Sequence, residues 1–191
     1  MKLDMHKAYD RVEWGFLRDM MLRLGFGQEW VNMIMACVTS VNYRIWFNSD
    51  ETEVFTPTRG IRQGDPLSPY LFLICAEGLS SLLAYEEMNG GIQGVKVCRG
   101  APSVSHLFFA DDSLILMTAD MSNATSLRNA LDMYCSSSGQ LVSDAKSSVF
   151  FSPNTEVQVR EEVCSHLNIV VEALTDKYLG LPSLVGIDRS D

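Results

Sequence analysis

Residues 105–116 constrain the fold of this chain more than any other stretch. Two apolar runs flank a pair of adjacent aspartates, Asp111 and Asp112. Short apolar runs that meet at a polar pair are typical of two strands joined by a tight turn, which would place both carboxylates at the turn. Two like charges side by side destabilise a fold unless a cation or a partner compensates for them. The pattern therefore suggests a divalent-metal site at a hairpin tip, although a solvated turn would show the same residues.

The composition is that of a folded, acidic protein. The chain has 191 residues, which suits one domain, or one domain and a fraction of another. Hydrophobic residues make up 47% and charged residues 20%, so a buried core is expected and extensive disorder is not. Five cysteines without a C-x-x-C pair indicate buried free thiols in a reducing compartment rather than a zinc site or a disulfide framework. The net charge of −9 argues against nucleic-acid binding, which usually shows a basic face.

The sequence predicts no membrane partner. No apolar run reaches the length of a membrane span, and the N-terminal residues lack the apolar core of a signal peptide. The chain opens directly on Lys2, Leu3 and Asp4, with no room for a complete element before them. We therefore expect that an upstream part of the domain is absent.

Hydrophobic periodicity predicts two helices in the first part of the chain. Apolar residues recur at four-residue steps over residues 10–25, and a second helix continues the step after a turn around Gly27. Gly25 is expected to end the first helix. The apolar positions expected to face the core are Val12, Phe16, Met20, Leu24, Trp30, Ile34 and Val38.

The middle of the chain alternates strand and helix patterns. Residues 43–56 favour a hairpin, and the Gly- and Pro-rich residues 59–69 favour a shaped loop that leads into a helix. Residues 92–97 are a predicted strand. Ser122 or Asn123 is predicted to cap a further helix. The apolar positions of the two later helices are Leu71, Cys75, Leu79 and Leu82, then Leu127, Leu131 and Tyr134.

Asp4 ends a short apolar strand far from the Asp111–Asp112 pair in the sequence. Carboxylates on neighbouring strands of one sheet can converge on a metal pair. Mg²⁺ prefers oxygen ligands and keeps several waters, so two or three carboxylates and substrate phosphates suffice to hold it. By spacing alone, this metal interpretation is weaker than that of a solvated turn.

Four stretches, in order, resemble the successive motifs of a reverse transcriptase palm. They are residues 4–10 (DMHKAYD), 60–69 (GIRQGDPLSP), 109–112 (FADD) and 178–182 (YLGLP). The type resembled is that of non-LTR (LINE-like) retrotransposons, particularly those of plants. The resemblance implies an α+β fold, a polymerase palm-like antiparallel sheet with helices packed on one face. It also implies that residues 1–191 are a partial reverse transcriptase domain, the palm, without the upstream fingers and downstream thumb.

The resemblance implies an RNA-directed DNA polymerase that adds deoxynucleotides to a primer 3′-end by two-metal nucleotidyl transfer. The implied partners are an RNA template, a DNA primer and deoxynucleoside triphosphates. Asp4, Asp111 and Asp112 match the catalytic carboxylates, which would hold two Mg²⁺ ions, with Mn²⁺ as an alternative. Asp4 and Asp111 are the expected direct ligands of both ions.

Five further residues match nucleotide- or template-binding positions. Tyr9 matches the aromatic steric gate that selects deoxynucleotides, and Arg62, Gln63 and Gly64 match the loop along the nucleotide and template. Lys146 matches a candidate proton donor to pyrophosphate. Local sequence alone is also compatible with a core aromatic, an ordinary helix entrance and a surface lysine at these positions.

Residues 178–182 match the primer-grip region, and a plain core strand is the alternative there. Two other functions stay open from the sequence. One is a maturase-like RNA-binding module derived from a reverse transcriptase, and the other is a catalytically inert retroelement relic. Ile187 and Asp188 replace the expected basic continuation, which favours the relic, whereas the intact aspartates favour a catalyst. Localisation is undetermined by the sequence; the resemblance alone implies the nucleus.

Overall fold

The computed structural model describes residues 1–169, 177–178 and 181–182. The helices are α1 (Trp14–Arg23), α2 (Gln28–Thr39), α3 (Ser68–Met88), α4 (Met121–Ser138) and α5 (Val157–Leu167), with a 3₁₀ turn at Tyr9–Arg11. The strands are β1 (Lys2–Asp4), β2 (Trp46–Phe47), β3 (Asp50–Glu51), β4 (Val95–Lys96), β5 (Ser103–Val104), β6 (His106–Phe109), β7 (Asp112–Ile115), β8 (Lys177–Tyr178) and β9 (Leu181–Pro182). Every strand pair is antiparallel within the part that the structure describes. The α+β fold class is therefore confirmed.

The chain divides into two compact units. Unit 1 comprises Met1–His6, Ser80–Asp132 and Val142–Asp191, as far as these residues are described. Unit 2 comprises Lys7–Leu79 and Met133–Leu141.

A three-stranded sheet in the order β1-β7-β6 is the centre of unit 1. Leu3 of β1 is paired with Ser113 of β7, and both side chains are buried. Because side chains alternate along a strand, the residues on either side of Leu3 and Ser113 lie on the opposite face of the sheet. That opposite face carries the aspartates. The largest buried side chains of unit 1 are Leu3, Leu83, Ile92, Ile115, Leu127 and Val163.

The buried faces of the first two helices of unit 2 overlap the predicted rows only in part. Leu17 and Met21 are the buried residues of α1, and Val31 and Ile34 are those of α2. Helix α1 begins only at Trp14, because the preceding residues form a 3₁₀ turn and an extended segment. Of the predicted core positions, Val12 and Ile34 are buried, Phe16, Met20 and Val38 are partly buried, and Leu24 and Trp30 are exposed.

Helix α3 follows the predicted four-residue step, with one correction. Leu71, Cys75 and Leu79 are buried as expected, and Leu83 rather than Leu82 continues the row. Burial raises the pKa of the Cys75 thiol to about 12. Cys75 is a buried free thiol as predicted, whereas the free thiols Cys37 and Cys98 are exposed and Cys135 and Cys164 are only partly buried.

Helix α3 also corrects the expectation that no apolar stretch has the length of a membrane span. By length and composition alone, Ser68–Met88 is long and apolar enough to cross a membrane, and about a third of it is buried in the protein. A mostly buried core helix of a soluble protein passes the same test of length and composition.

The hairpin predicted at residues 43–56 is present as β2 and β3, and a bridge between Tyr43 and Phe55 extends it. Of the strand predicted at residues 92–97, only β4 forms. The cap of α4 is Asp120, whose Oδ1 accepts a hydrogen bond of 2.8 Å from the backbone N–H of Asn123. The predicted cap was therefore two or three residues too late.

Candidate active site

The two adjacent aspartates lie where a hairpin turns, but only one of them is in the turn. Phe109 of β6 is paired with Asp112 of β7, so Ala110 and Asp111 form a two-residue loop. Ala110 has a φ of +52°, a conformation that favours glycine. Asp112 is the first residue of β7. The tight hairpin predicted from the apolar runs is confirmed, with Asp112 held by the sheet and Asp111 exposed at its tip.

Register brings Asp4 directly opposite Asp112. In the antiparallel ladder between β1 and β7, Lys2 is paired with Leu114, Leu3 with Ser113, and Asp4 with Asp112. Directly opposed residues lie on the same face with their Cβ atoms about 4.5–5.5 Å apart. Two like charges in this position are destabilising, so the pair provides a reason for a cation to bind.

The donor set suits a hard divalent cation. Carboxylate oxygens are the ligands that Mg²⁺ and Mn²⁺ prefer, and Mg²⁺ is commonly bound through one or two carboxylates and substrate phosphates. Asp4 and Asp112 supply such a pair, and Asp111 follows within the same hairpin. Within residues 1–169, no group of three His, Cys, Asp or Glu side chains is arranged to hold a metal. The arrangement therefore fits an ion held by two carboxylates and by oxygens of a substrate.

Lys146 lies on a turn that is attached to Asp4 through the backbone. The Ser143 N–H donates to the Asp4 carbonyl at 2.8 Å, and the Asp4 N–H donates to Ser147 Oγ at 3.2 Å. The Lys146 N–H in turn donates to the Ser143 carbonyl at 3.0 Å. The lysine side chain is exposed. Three predicted carboxylates and the predicted lysine thus belong to one local assembly in unit 1.

In unit 2, the Tyr9 segment is attached to the loop that carries Arg62, Gln63 and Gly64. The Ile61 N–H donates to the Tyr9 carbonyl at 2.9 Å. The ring of Tyr9 is stacked on that of Phe72, with centroids 4.9 Å apart and planes 9° from parallel. Tyr9 is therefore held at the junction between strand and helix, which agrees with both the steric-gate and the core-aromatic interpretations.

Two glycines shape this loop. Gly60 and Gly64 have φ values of +90° and +87°, which other residues rarely adopt. A Cβ atom on Gly60 would lie 2.8 Å from the Asp10 carbonyl oxygen, whereas a Cβ atom on Gly64 would meet open space. The Gly60 carbonyl also accepts a hydrogen bond of 2.7 Å from Trp14 Nε1. The glycines and prolines of residues 59–69 predicted a shaped loop, but only the backbone neighbours of Gly60 reveal why a side chain is excluded there.

The loop borders a cavity of about 510 Å³ in unit 2. Arg62 and Gln63 line it, and Tyr43 and Phe55 contribute two stacked rings whose centroids are 5.7 Å apart. The remaining lining is mostly apolar, with Asp10, Arg59, Asp65 and Ser68 as further polar contributors. Two of the three loop residues that match nucleotide-binding positions, Arg62 and Gln63, thus face this cavity.

A polar network supports the strand that leads into the hairpin. Ser80 Oγ is 2.9 Å from His106 Nε2, and Ser105 Oγ is 3.1 Å from His106 Nδ1. Ser105 Oγ also donates to Glu87 Oε2 at 2.7 Å. Hydrogen bonds from Ser103 and Ser105 lower the pKa of the Glu87 carboxyl. These bonds fasten α3 to the β5–β6 segment just before the aspartates.

The primer-grip match at residues 178–182 is described only in part. Tyr178 and Leu181 are paired in the short β8–β9 ladder. Residues 179–180, as well as Ile187 and Asp188, lie outside the described residues.

Lys2 is the charged neighbour of the carboxylates that the sequence interpretation missed. Its Nζ is 4.0 Å from Asp112 Oδ1. It stands two residues before Asp4 on a strand, and this spacing places both on one face. The two-residue alternation of side chains along a strand could have identified Lys2 from the sequence.

The small antiparallel sheet and the accompanying helices are consistent with a palm-like α+β domain. Residues 1–182 match the family described as reverse transcriptase (RNA-dependent DNA polymerase). The chain belongs to this reverse transcriptase family.

The similar proteins include products of non-LTR retrotransposons. A retrovirus-related Pol polyprotein from the type-1 retrotransposable element R2 of Popillia japonica is 31% identical over 127 residues, 66% of this chain and 20% of that protein. The transposon TX1 uncharacterized 149 kDa protein of Xenopus laevis is 26% identical over 181 residues, 95% of this chain and 13% of that protein. An uncharacterized mitochondrial protein of Arabidopsis thaliana is 52% identical over 58 residues, 30% of this chain and 48% of that protein. The matched regions thus span less than half of each relative.

Proposed function

We propose that this chain carries the nucleotidyl-transfer centre of an RNA-directed DNA polymerase. Its substrates would be deoxynucleoside triphosphates, a DNA primer and an RNA template. The observation that carries the proposal is the register of β1 and β7, which puts Asp4 opposite Asp112 beside the exposed Asp111. Membership of the reverse transcriptase family supports the same conclusion.

Asp4, Asp111 and Asp112 are the proposed ligands of two Mg²⁺ ions, with Mn²⁺ as an alternative. Such a pair, when bound, activates the primer 3′-hydroxyl and neutralises charge on the leaving pyrophosphate. The contribution of the chain is to hold the carboxylates before substrate arrives. The sheet orients Asp4 and Asp112, and the short loop keeps Asp111 next to them.

The proposed nucleotide-positioning residues act through shape and hydrogen bonding. Tyr9, held by its stack on Phe72, would exclude a 2′-hydroxyl from the incoming sugar. Gln63 and Arg62 would bind the nucleotide and template, and Gly64 would let the backbone approach them closely. Lys146 would donate a proton to the departing pyrophosphate.

One observation favours a non-catalytic alternative. The net charge of −9 weakens phosphate binding, which favours a catalytically inert relic and counts against RNA binding by a polymerase or a maturase alike. A catalytically inert retroelement relic or a maturase-like RNA-binding module would share the fold.

Primer extension separates these functions. The substrates are poly(rA), oligo(dT) and dTTP with Mg²⁺ or Mn²⁺, and the proteins are the chain, Asp111→Asn and the control Asp19→Asn, which removes an exposed charge from α1 in unit 2. Each is tested alone and fused to flanking polymerase segments of an R2-type relative. The proposal expects extension that Asp111→Asn abolishes and Asp19→Asn retains. Equal extension by all three, or none even from the fused proteins, contradicts it.

The role of Tyr9 is tested separately in whichever protein extends the primer. Tyr9→Ala is expected to raise incorporation of ribonucleotides relative to deoxynucleotides, because the ring would no longer meet the 2′-hydroxyl. Tyr9→Phe keeps the ring and serves as the control. An unchanged ratio in Tyr9→Ala would show that Tyr9 is only a packing residue.

A further inference from the structure

Lys2 places a positive charge on the carboxylate face of the sheet. It is two residues from Asp4 on β1, so both side chains leave the strand on the same side. Its Nζ approaches Asp112 Oδ1 to 4.0 Å, diagonally across the β1–β7 ladder. The side chains of Lys2 and Asp112 are 23% and 37% exposed, so bulk water screens their interaction only in part.

Lys2 lies on the sheet face that carries two opposed carboxylates. Asp4 and Asp112 are opposed, and their repulsion is relieved either by a nearby ammonium group or by a divalent cation. Lys2 supplies the ammonium group from the same strand as one of the two aspartates. A divalent ion that binds Asp112 must therefore compete with Lys2 for that carboxylate.

We propose that Lys2 is a positioning residue of the carboxylate centre that stabilises the Asp4–Asp112 pair before an ion binds and weakens binding of a free divalent ion. This inference rests on the proposed function, because it assumes that the aspartates bind the ion. Its consequence is that an ion arriving with a triphosphate, which adds oxygen ligands and negative charge, is favoured over an ion arriving alone.

The test uses Mn²⁺ alone as the probe and requires no catalysis. Mn²⁺ binding is measured by electron paramagnetic resonance for the chain, Lys2→Met, Lys2→Arg and Lys96→Met. The last variant is matched, because it removes the same charge from a strand of a different sheet in the same unit. Lys2→Met is expected to bind Mn²⁺ about three- to fivefold more tightly, the range of a partly exposed ion pair. Lys2→Arg and Lys96→Met should stay close to the unsubstituted chain.

Thermal unfolding in EDTA provides a second readout. Lys2→Met is expected to unfold at a lower temperature than the unsubstituted chain, and the double variant Lys2→Met with Asp112→Asn should recover part of the loss. If Lys2→Met does not fold, Lys2→Gln keeps a polar side chain and is expected to show the same two changes.

The outcomes are distinguishable from failure of the proposed function. Normal Mn²⁺ binding by the unsubstituted chain with no change in Lys2→Met overturns the role of Lys2 alone. An equal gain in Lys96→Met reduces the effect to net charge and also overturns it. Absence of Mn²⁺ binding from the unsubstituted chain removes the metal part of the proposed function together with this inference.

Discussion

Gly60→Ala is expected to destabilise unit 2 much more than Gly64→Ala. Both glycines have a left-handed φ near +90°, so the backbone conformation destabilises an alanine by the same free energy at each position. They differ in what the new methyl group meets. At Gly60 it would lie 2.8 Å from the Asp10 carbonyl oxygen and 3.2 Å from two further backbone atoms of Asp10. At Gly64 there is nothing within 4 Å.

The magnitude follows from these contacts. A left-handed alanine costs about 1–2 kcal/mol, part of which is offset by the lower entropy of the unfolded chain, so Gly64→Ala should cost about 1 kcal/mol. At Gly60 the clash is with backbone, which cannot rotate away. The segment must shift and weaken the bonds from Gly60 N to the Val12 carbonyl (2.8 Å) and from Trp14 Nε1 to the Gly60 carbonyl (2.7 Å). At about 1 kcal/mol for each bond, Gly60→Ala should cost about 3 kcal/mol.

The assay is urea unfolding followed by circular dichroism. With a slope of about 2 kcal/mol per molar urea, the two variants should differ in midpoint by roughly 1 M. A double-mutant cycle with Trp14→Phe tests the cause, because the indole N–H should contribute less once Gly60→Ala has displaced its acceptor. Equal midpoints for Gly60→Ala and Gly64→Ala, or full additivity with Trp14→Phe, would refute the reasoning.

Three further predictions concern unit 1. The Met1 amine is buried, donates to the Ile115 carbonyl at 2.8 Å, and has its pKa lowered from 8.0 to about 6 by burial. Between pH 6 and pH 8 the unfolded chain therefore binds more protons at this amine than the folded chain does. The free energy of unfolding should rise by up to about 2–3 kcal/mol across that range and stay constant above pH 8. Denaturant titrations across pH check this, and an N-terminally acetylated chain with the same slope would contradict it. Asp4→Asn should raise the free energy of unfolding of the metal-free chain by about 0.2–1 kcal/mol, because it removes the like charge opposite Asp112. Thermal unfolding in EDTA checks this, and a lower midpoint temperature would count against it. Ala110→Gly should raise the free energy of unfolding by about 0.5–1 kcal/mol, because glycine tolerates the φ of +52° in the hairpin loop. Urea unfolding checks this, and a loss of stability would show that the loop is not strained.

Much of the fold was predictable because its signals are local. Two apolar runs around Asp111 and Asp112 predicted the hairpin, and the step from Leu71 to Leu79 predicted the buried row of α3. The faces of α1 and α2 were predicted only in part, because Ile34 is buried as expected whereas Leu17, Met21 and Val31 were not among the predicted positions. A step of four residues fits two adjacent rows of a helix equally well, and the choice depends on what the helix packs against.

The candidate site was likewise predictable from the sequence only in part. The sequence by itself determined which residue types are available to the candidate site, because carboxylates, a glycine-rich loop and an aromatic ring are properties of residue type and order. Only the tertiary structure decided that Asp112, rather than Asp111, lies opposite Asp4, and that Lys2 reaches Asp112. Strand register and close backbone contacts bring together residues that are far apart in the chain, and no local sequence pattern encodes which residues meet.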